Sequence, residues 1–174
     1  GGATFERHRQ MIRGQVEVEA SELRAAAVID QDLLEEVTGL VEWPVALTGS
    51  FEERFLAVPA EALVSSMKEH QKYFHVVDSN GALMPNFITV CNIESTDPSQ
   101  VIAGNERVIR PRLSDAAFFF ETDKKIPLAD RVESLGNIVF QKQLGTLQDK
   151  TQRMVQLAAL LAPRLDANVA DAQR

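Results

Sequence analysis

The sequence predicts an α+β fold: an antiparallel sheet with covering helices, flanked by helical N- and C-terminal segments. Three observations predict it. In "KYFHVVDSNGALMPNFITVCNIES" an Asn-Gly pair, tolerant of positive φ, separates two apolar runs. The second run is apolar at successive positions, as a strand covered on both faces requires. Segments of helical propensity stand on either side of this hairpin.

Each element has a local cause. Residues 4–27 are rich in Glu, Arg, Gln and Ala with sparse apolar positions, which predicts a long, largely exposed helix with a weak core stripe. Asp30 is placed to N-cap "QDLLEEVTG", with Leu33, Leu34 and Val37 on one face and Gly39 as its stop. From Trp43-Pro44 the pattern reads strand, turn, strand, and Pro59 precedes a helix in "AEALVSSMKEHQ". Residues 72–77 and 85–93 are expected to pair as antiparallel strands. Beyond "STDPSQ" the chain reads as helical over 98–105, 110–122, 128–135 and 144–165. In the last of these Leu144, Leu147, Thr151, Met154, Leu157 and Leu161 form one stripe that needs a partner surface. The segments group as 1–2, a cloning remnant; 3–42, helical; 43–126, the α+β part; and 127–174, helical.

Composition narrows the function classes. With 174 residues and 45% apolar content the chain can bury a core. The 18 Lys+Arg against 25 Asp+Glu give a net charge of -7, which argues against an all-over basic nucleic-acid binder. The charge is uneven: residues 1–66 hold five basic and twelve acidic side chains, whereas 67–174 hold thirteen of each. An anion-binding surface is therefore expected in the second part. The single cysteine, Cys91, rules out an internal disulfide framework and a Cys/His zinc pattern, and the expected setting is cytoplasmic, with no membrane span. His8, His70 and His75 are scattered, and GxxxxGK[ST], GxGxxG and GxSxG are absent, so neither a metal nor a mononucleotide site is expected.

The stretch "ERVIRPRLSDAAFFFET" carries the chemistry of interest. Arg107, Arg110 and Arg112 place three positive charges around Pro111, which is expected to break or kink the chain. With Pro111 in the first turn of a helix, Arg110 and Arg112 would stand beside free amides that also attract an anion. On the residues alone, pairing with Asp115, Glu106 or acidic residues of the first part, which carries seven excess negative charges, is the favoured reading of these arginines. Phe118, Phe119 and Phe120 spread over about 200° of helix arc, so they cannot all face one partner, and packing is their favoured reading over base stacking.

The stretches "EEVTGLVEWPVALTGSFEERFLAVPAEALVSSMKEHQKYF", "PNFITVCNIES", "GNERVIRPRLSDAAFFFETDKK" and "FQKQLGTLQDKTQRM" resemble, in order, the β subunit of bacterial two-subunit glycyl-tRNA synthetase. The likeness runs from about residue 32 to about residue 161. It implies an internal piece of a longer subunit of an α2β2 ligase that joins glycine to tRNA(Gly). It also implies an ATP- and Mg-using active site on the α subunit, and no catalytic residue, metal or cofactor in this piece. The implied partners are tRNA(Gly), the α subunit and other β-subunit domains, with neither DNA nor a membrane. The central part is similar to the editing-like module of the phenylalanyl-tRNA synthetase β subunit, and the segment from about Phe140 looks like the opening helix of an HD-type domain whose metal doublet falls outside this chain. Carried over by position, Arg107, Arg110, Arg112, Lys124, Lys125, Lys68 and Lys72 become candidate tRNA-backbone contacts. Three readings stay open: tRNA engagement with scaffolding, a purely structural module within the enzyme, and a vestigial editing-like module.

Overall fold

A computed structural model describes residues 2–174, with side chains from Thr4 onward; Gly1, half of the expected cloning remnant, lies outside the described residues. The chain divides into two compact units, one reaching to Glu121 and the other Thr122–Arg174. The helical segment 3–42 and the sheet of segment 43–126 share the first unit. Among the described residues no helix is long and apolar enough to cross a membrane.

In the first unit a four-stranded antiparallel sheet lies between two groups of helices. Helix α1 (Gly2–Glu22) leads to β1 (Ala26–Ala27), α2 (Gln31–Leu40) and β2 (Val45–Ser50). A 3-10 turn (Glu53–Ala57), α3 (Ala60–Ser65) and one π-helical turn (Ser66–His70) precede β3 (Phe74–Val77), β4 (Leu83–Cys91) and α4 (Pro98–Asp123). The strand order β1-β3-β4-β2 makes β4 central, as its two-faced apolar run requires.

The hairpin turn explains its own register. Gly81 N–H donates to the Asp78 carbonyl, Gly81 adopts φ +80, and the Asp78 carboxylate accepts from the amides of Asn80 and Ala82. Only the glycine of the Asn-Gly pair takes positive φ, so the turn is of type I followed by a left-handed residue, not a two-residue primed turn. That geometry sets Val77 opposite Leu83, and a register shift between His75 and Val77 then brings Phe74 opposite Ile88.

Adjacent strand residues face opposite layers. On one face Phe74, Val76, Ile88 and Ala46 pack with Ile12, Val16 and Ala20 of α1 and Leu33, Leu34 and Val37 of α2. The expected weak stripe of α1 is therefore a working one: three small or branched residues at four-residue spacing suffice to seat the helix, and all three are buried. Gln15 adds a polar clamp, donating to the Pro44 carbonyl and accepting from the Ala46 amide, both at 3.0 Å, on edge strand β2. Asp30 caps α2 through the Leu33 amide at 3.0 Å, but the helix passes Gly39 to Leu40, with Val41 as its C-cap.

The opposite face holds Tyr73 and Phe87, covered by Phe51, Phe55, Val58, Leu63 and Met67 and by Ile109 and Leu113 of α4. The second strand expected after Gly49-Ser50 is the 3-10 turn instead, because Phe51, Phe55 and Val58 must turn inward together. Gly49 lies directly opposite Phe87, whose ring would stand 2.3 Å from any Cβ placed there. Helix α4 also departs from expectation. It runs through Pro111 without ending, since Ile109 and Leu113 anchor both sides of the proline in the core while the ring stays exposed.

Burial in β3 has a pH consequence. Desolvation pushes the His75 imidazole below its ordinary 6.5, against a smaller opposing pull from Asp30. The folded state thus binds this proton less tightly than the unfolded chain, so its contribution to stability is present above pH 6.5 and is lost as pH falls through the lowered folded value. His75→Gln should flatten the decline of the urea midpoint in acid below that pH; an unaltered slope would show that other groups carry it.

The second unit differs from the all-helical expectation. A 3-10 run (Leu128–Asn137) and a short hairpin of β5 (Val139–Gln141) and β6 (Gly145–Thr146) precede α5 (Leu147–Leu161), a 3-10 turn (Ala162–Leu165) and α6 (Val169–Gln173). Gly145 at φ +84 cannot open a helix, and Thr146 forms a capping box with Asp149, so α5 begins at Leu147 and not at Phe140 or Leu144. The face of α5 turned toward Val132 is Gln148, Thr151, Gln152 and Val155, which leaves Leu144, Met154, Leu157 and Leu161 of the expected stripe exposed.

Candidate nucleic-acid interface

The candidate side chains of the first unit are arranged by the anchoring of α4. Ile109 and Leu113, four residues apart, fix which side of the helix meets the core, with Ala117 and Phe120 continuing that side. At 100° per residue the outermost line is then Arg107, Pro111 and Phe118, and one flank carries Arg112, Asp115 and Phe119. Because α4 is continuous from Pro98 to Asp123, Arg110 and Arg112 sit in mid-helix and not beside a helix N-terminus. Any anion is held here by side chains and not by free amides.

The candidate cations fall into two classes. Arg110 pairs with Glu52 at 2.5 Å, Lys68 with Asp30 at 2.6 Å and Lys72 with Glu36 at 2.9 Å. Each of these bonds joins separate elements: α4 to the turn after β2, and the π turn and its exit to α2. The Lys68 ammonium, followed by the Leu33 amide, holds the Asp30 carboxyl below its ordinary range, and Asp30 in turn raises Lys68. Arg107 and Arg112, by contrast, are exposed, and no hydrogen bond or ion pair joins either to another described residue. Glu106, the expected local neutraliser, instead accepts from the amide and hydroxyl of Ser50 at 2.9 and 3.0 Å, tying α4 to the end of β2. Lys124 and Lys125 follow α4 in the second unit and are exposed.

Two features were not foreseen. The packing expected for the three phenylalanines holds for Phe120 alone: Phe118 and Phe119 are 64% and 63% exposed and meet edge-to-face with centroids 5.7 Å apart, because Phe120 lies on the anchored side of the helix. A helix face through Leu113, Ala117 and Phe120 turns the other two rings away. Ser66 and His70 of the π turn join Arg112, Asp115, Ala116 and Phe119 around a concavity of about 230 Å³. No spacing in the sequence linked residues 66 and 70 to residue 112.

Comparison with known proteins assigns the family. The sequence profile described as "Glycyl-tRNA synthetase beta subunit" matches residues 2–174. The chain is similar to the protein named glycine--tRNA ligase beta subunit of Hahella chejuensis, at 63% identity over 172 residues, covering 99% of this chain and 25% of that protein. The proteins of the same name from Chromohalobacter salexigens and Acinetobacter baylyi are 60% and 58% identical over 172 residues, with the same coverage of 99% and 25%. The chain thus spans about a quarter of the length of these relatives. With the whole described chain inside the profile and identity this high along it, the protein belongs to the family of the glycyl-tRNA synthetase beta subunit.

Proposed function

We propose that this part of the β subunit holds tRNA(Gly) by its phosphates while glycine and ATP react at a site on the α subunit. The observation that carries the reading is the pair Arg107 and Arg112, two exposed guanidinium groups with no partner among the described residues, on a helix whose inner side is locked in the core. Such contacts neutralise phosphates, release counterions and position the RNA without reading its sequence. Lys124 and Lys125, exposed in the second unit, are separate candidates for phosphate contact, in a family whose relatives are named as ligases of glycine to tRNA.

A scaffolding role accompanies it, favoured by the inter-element pairs of Arg110, Lys68 and Lys72. These three cations serve the fold and leave phosphate contact to Arg107 and Arg112. An editing-like hydrolytic role is disfavoured, because Phe74, Val76, Phe87 and Ile88 fill the hairpin interior where a hydrolytic cleft would need polar groups. The exposed apolar side chains of Thr122–Arg174 suit contact with further β-subunit domains, including an HD-type domain.

Binding of tRNA(Gly) to the 174-residue chain across a salt series tests this reading. Arg107→Ala with Arg112→Ala should weaken binding at low salt and reduce the slope of log K against log salt by about two. Arg110→Ala should leave that slope within error and cost only about 0–1 kcal/mol of stability, the worth of an exposed pair. An unchanged slope in the double variant would remove the phosphate assignment.

A further inference from the structure

We propose that the outer side of α4 is a stacking platform for unpaired nucleotides, with Phe118 and Phe119 receiving bases and Arg107 and Arg112 holding the adjoining phosphates. The inference rests on the phosphate-binding reading above and specifies its ligand: single-stranded RNA rather than duplex.

Three observations support it. Two adjacent aromatic rings are left in solvent on a helix that has already seated Ile109, Leu113 and Phe120, so their exposure is not for want of a core. Both rings share their helix faces with cations: Arg107 and Phe118 lie nearly in line about 16 Å apart along the axis, and Arg112 and Phe119 about 10 Å apart. Those separations span one to a few nucleotides of extended backbone, the scale on which a basic groove and aromatic side chains cooperate. The concavity between Arg112 and Phe119, about 230 Å³ and lined also by His70, Ser66 and Asp115, admits one base and not a helix.

The side chains divide the work. A guanidinium offers a planar array of donors to a phosphate, and a phenylalanine ring offers a face that any base can cover. Asp115, an acceptor beside Phe119, suits the exocyclic amino group or 2′-hydroxyl of a stacked nucleotide. An acidic partner surface would meet the arginines but leave the rings idle, and a purely apolar one would leave the arginines unpaired; a nucleotide strand satisfies both.

The test uses the 174-residue chain with an unstructured heptaribonucleotide carrying one 2-aminopurine, and a blunt RNA duplex for comparison. The chain should bind the single strand with quenching of the 2-aminopurine. Phe118→Leu with Phe119→Leu, which keeps apolar bulk but removes the rings, should weaken single-strand binding by about tenfold or more. The same variant should abolish the quench and leave duplex affinity and the salt slope as they were. Circular dichroism of this variant should match the parent, since both rings are exposed. If the arginine variants weaken binding while the leucine variant does not, phosphate contact stands and the platform falls. If the leucine variant alters only self-association or binding to a protein, the rings are a protein contact and the proposal is overturned. If the single strand does not bind while the duplex or tRNA(Gly) does, the platform falls and phosphate contact stands; if none of them binds, both readings fail.

Discussion

Phe87→Ala lowers the unfolding free energy by about 3–5 kcal/mol, the cost of emptying a large buried aromatic site. Phe87 is fully buried on central strand β4, stacks on Tyr73 with centroids 4.4 Å apart and planes at 14°, and fills the space over Gly49. A glycine on the neighbouring strand provides no side chain to collapse into the void, so relaxation recovers little. Tyr73 reports the loss independently. Burial pushes its hydroxyl up to about 12, and it is the only tyrosine, so its absorbance titration is unobscured by others. The raised value means the protonated ring contributes stability that is fully present below pH 10.0 and lost as pH rises through about 12. In the alanine variant the titration should move back toward 10.0. An unfolding free energy from urea lowered by less than about 1 kcal/mol, with an unmoved titration, would show that the ring is not the keystone of this face.

Pro111→Ala is expected to do the opposite and stabilise the chain by about 2 kcal/mol. Proline inside a helix costs about 3 kcal/mol relative to alanine, because it lacks the amide hydrogen and crowds the carbonyl four residues back. Part of that gain, about 0.4–1 kcal/mol, is returned because alanine leaves the unfolded chain freer. Here the carbonyl is that of Arg107, and the position is solvent-exposed, so no packing is lost in the exchange. A rise in Tm of several degrees checks the prediction. A fall would mean that the geometry Pro111 imposes on α4 is itself needed for Ile109 and Leu113 to seat together.

Where local chemistry decides, the sequence was legible. Asp30 caps α2, the Asn-Gly pair closes the hairpin, and the apolar run around Phe87 and Ile88 takes the centre of the sheet. Each rests on a residue acting within a few positions of itself. Where tertiary anchoring overrides local preference, it was not legible. Pro111 carries a breaking signal, yet buried residues on both sides hold α4 together. Gly39 and Gly145 show the same limit in opposite senses: the first is helical despite its propensity, and the second, at φ +84, ends the hairpin where an apolar stripe suggested helix. In the candidate site, Arg107, Arg110 and Arg112 look equivalent as letters. Only the placement of Glu52 opposite Arg110 separates a structural cation from two available ones.

On the phosphate-holding role proposed for Arg107 and Arg112, the locking of α4 also determines where binding entropy is lost. Ile109 and Leu113 have already ordered the backbone that carries Arg107 and Arg112, so folding has met the cost of about 1–2 kcal/mol per residue before any ligand arrives. Association then orders only side chains, at about 0.5–1.5 kcal/mol each. A floppy loop bearing the same two arginines would have to pay both. The helix therefore converts a weak pair of charges into a preset pattern, in which small changes in arginine spacing matter more than adding another cation elsewhere.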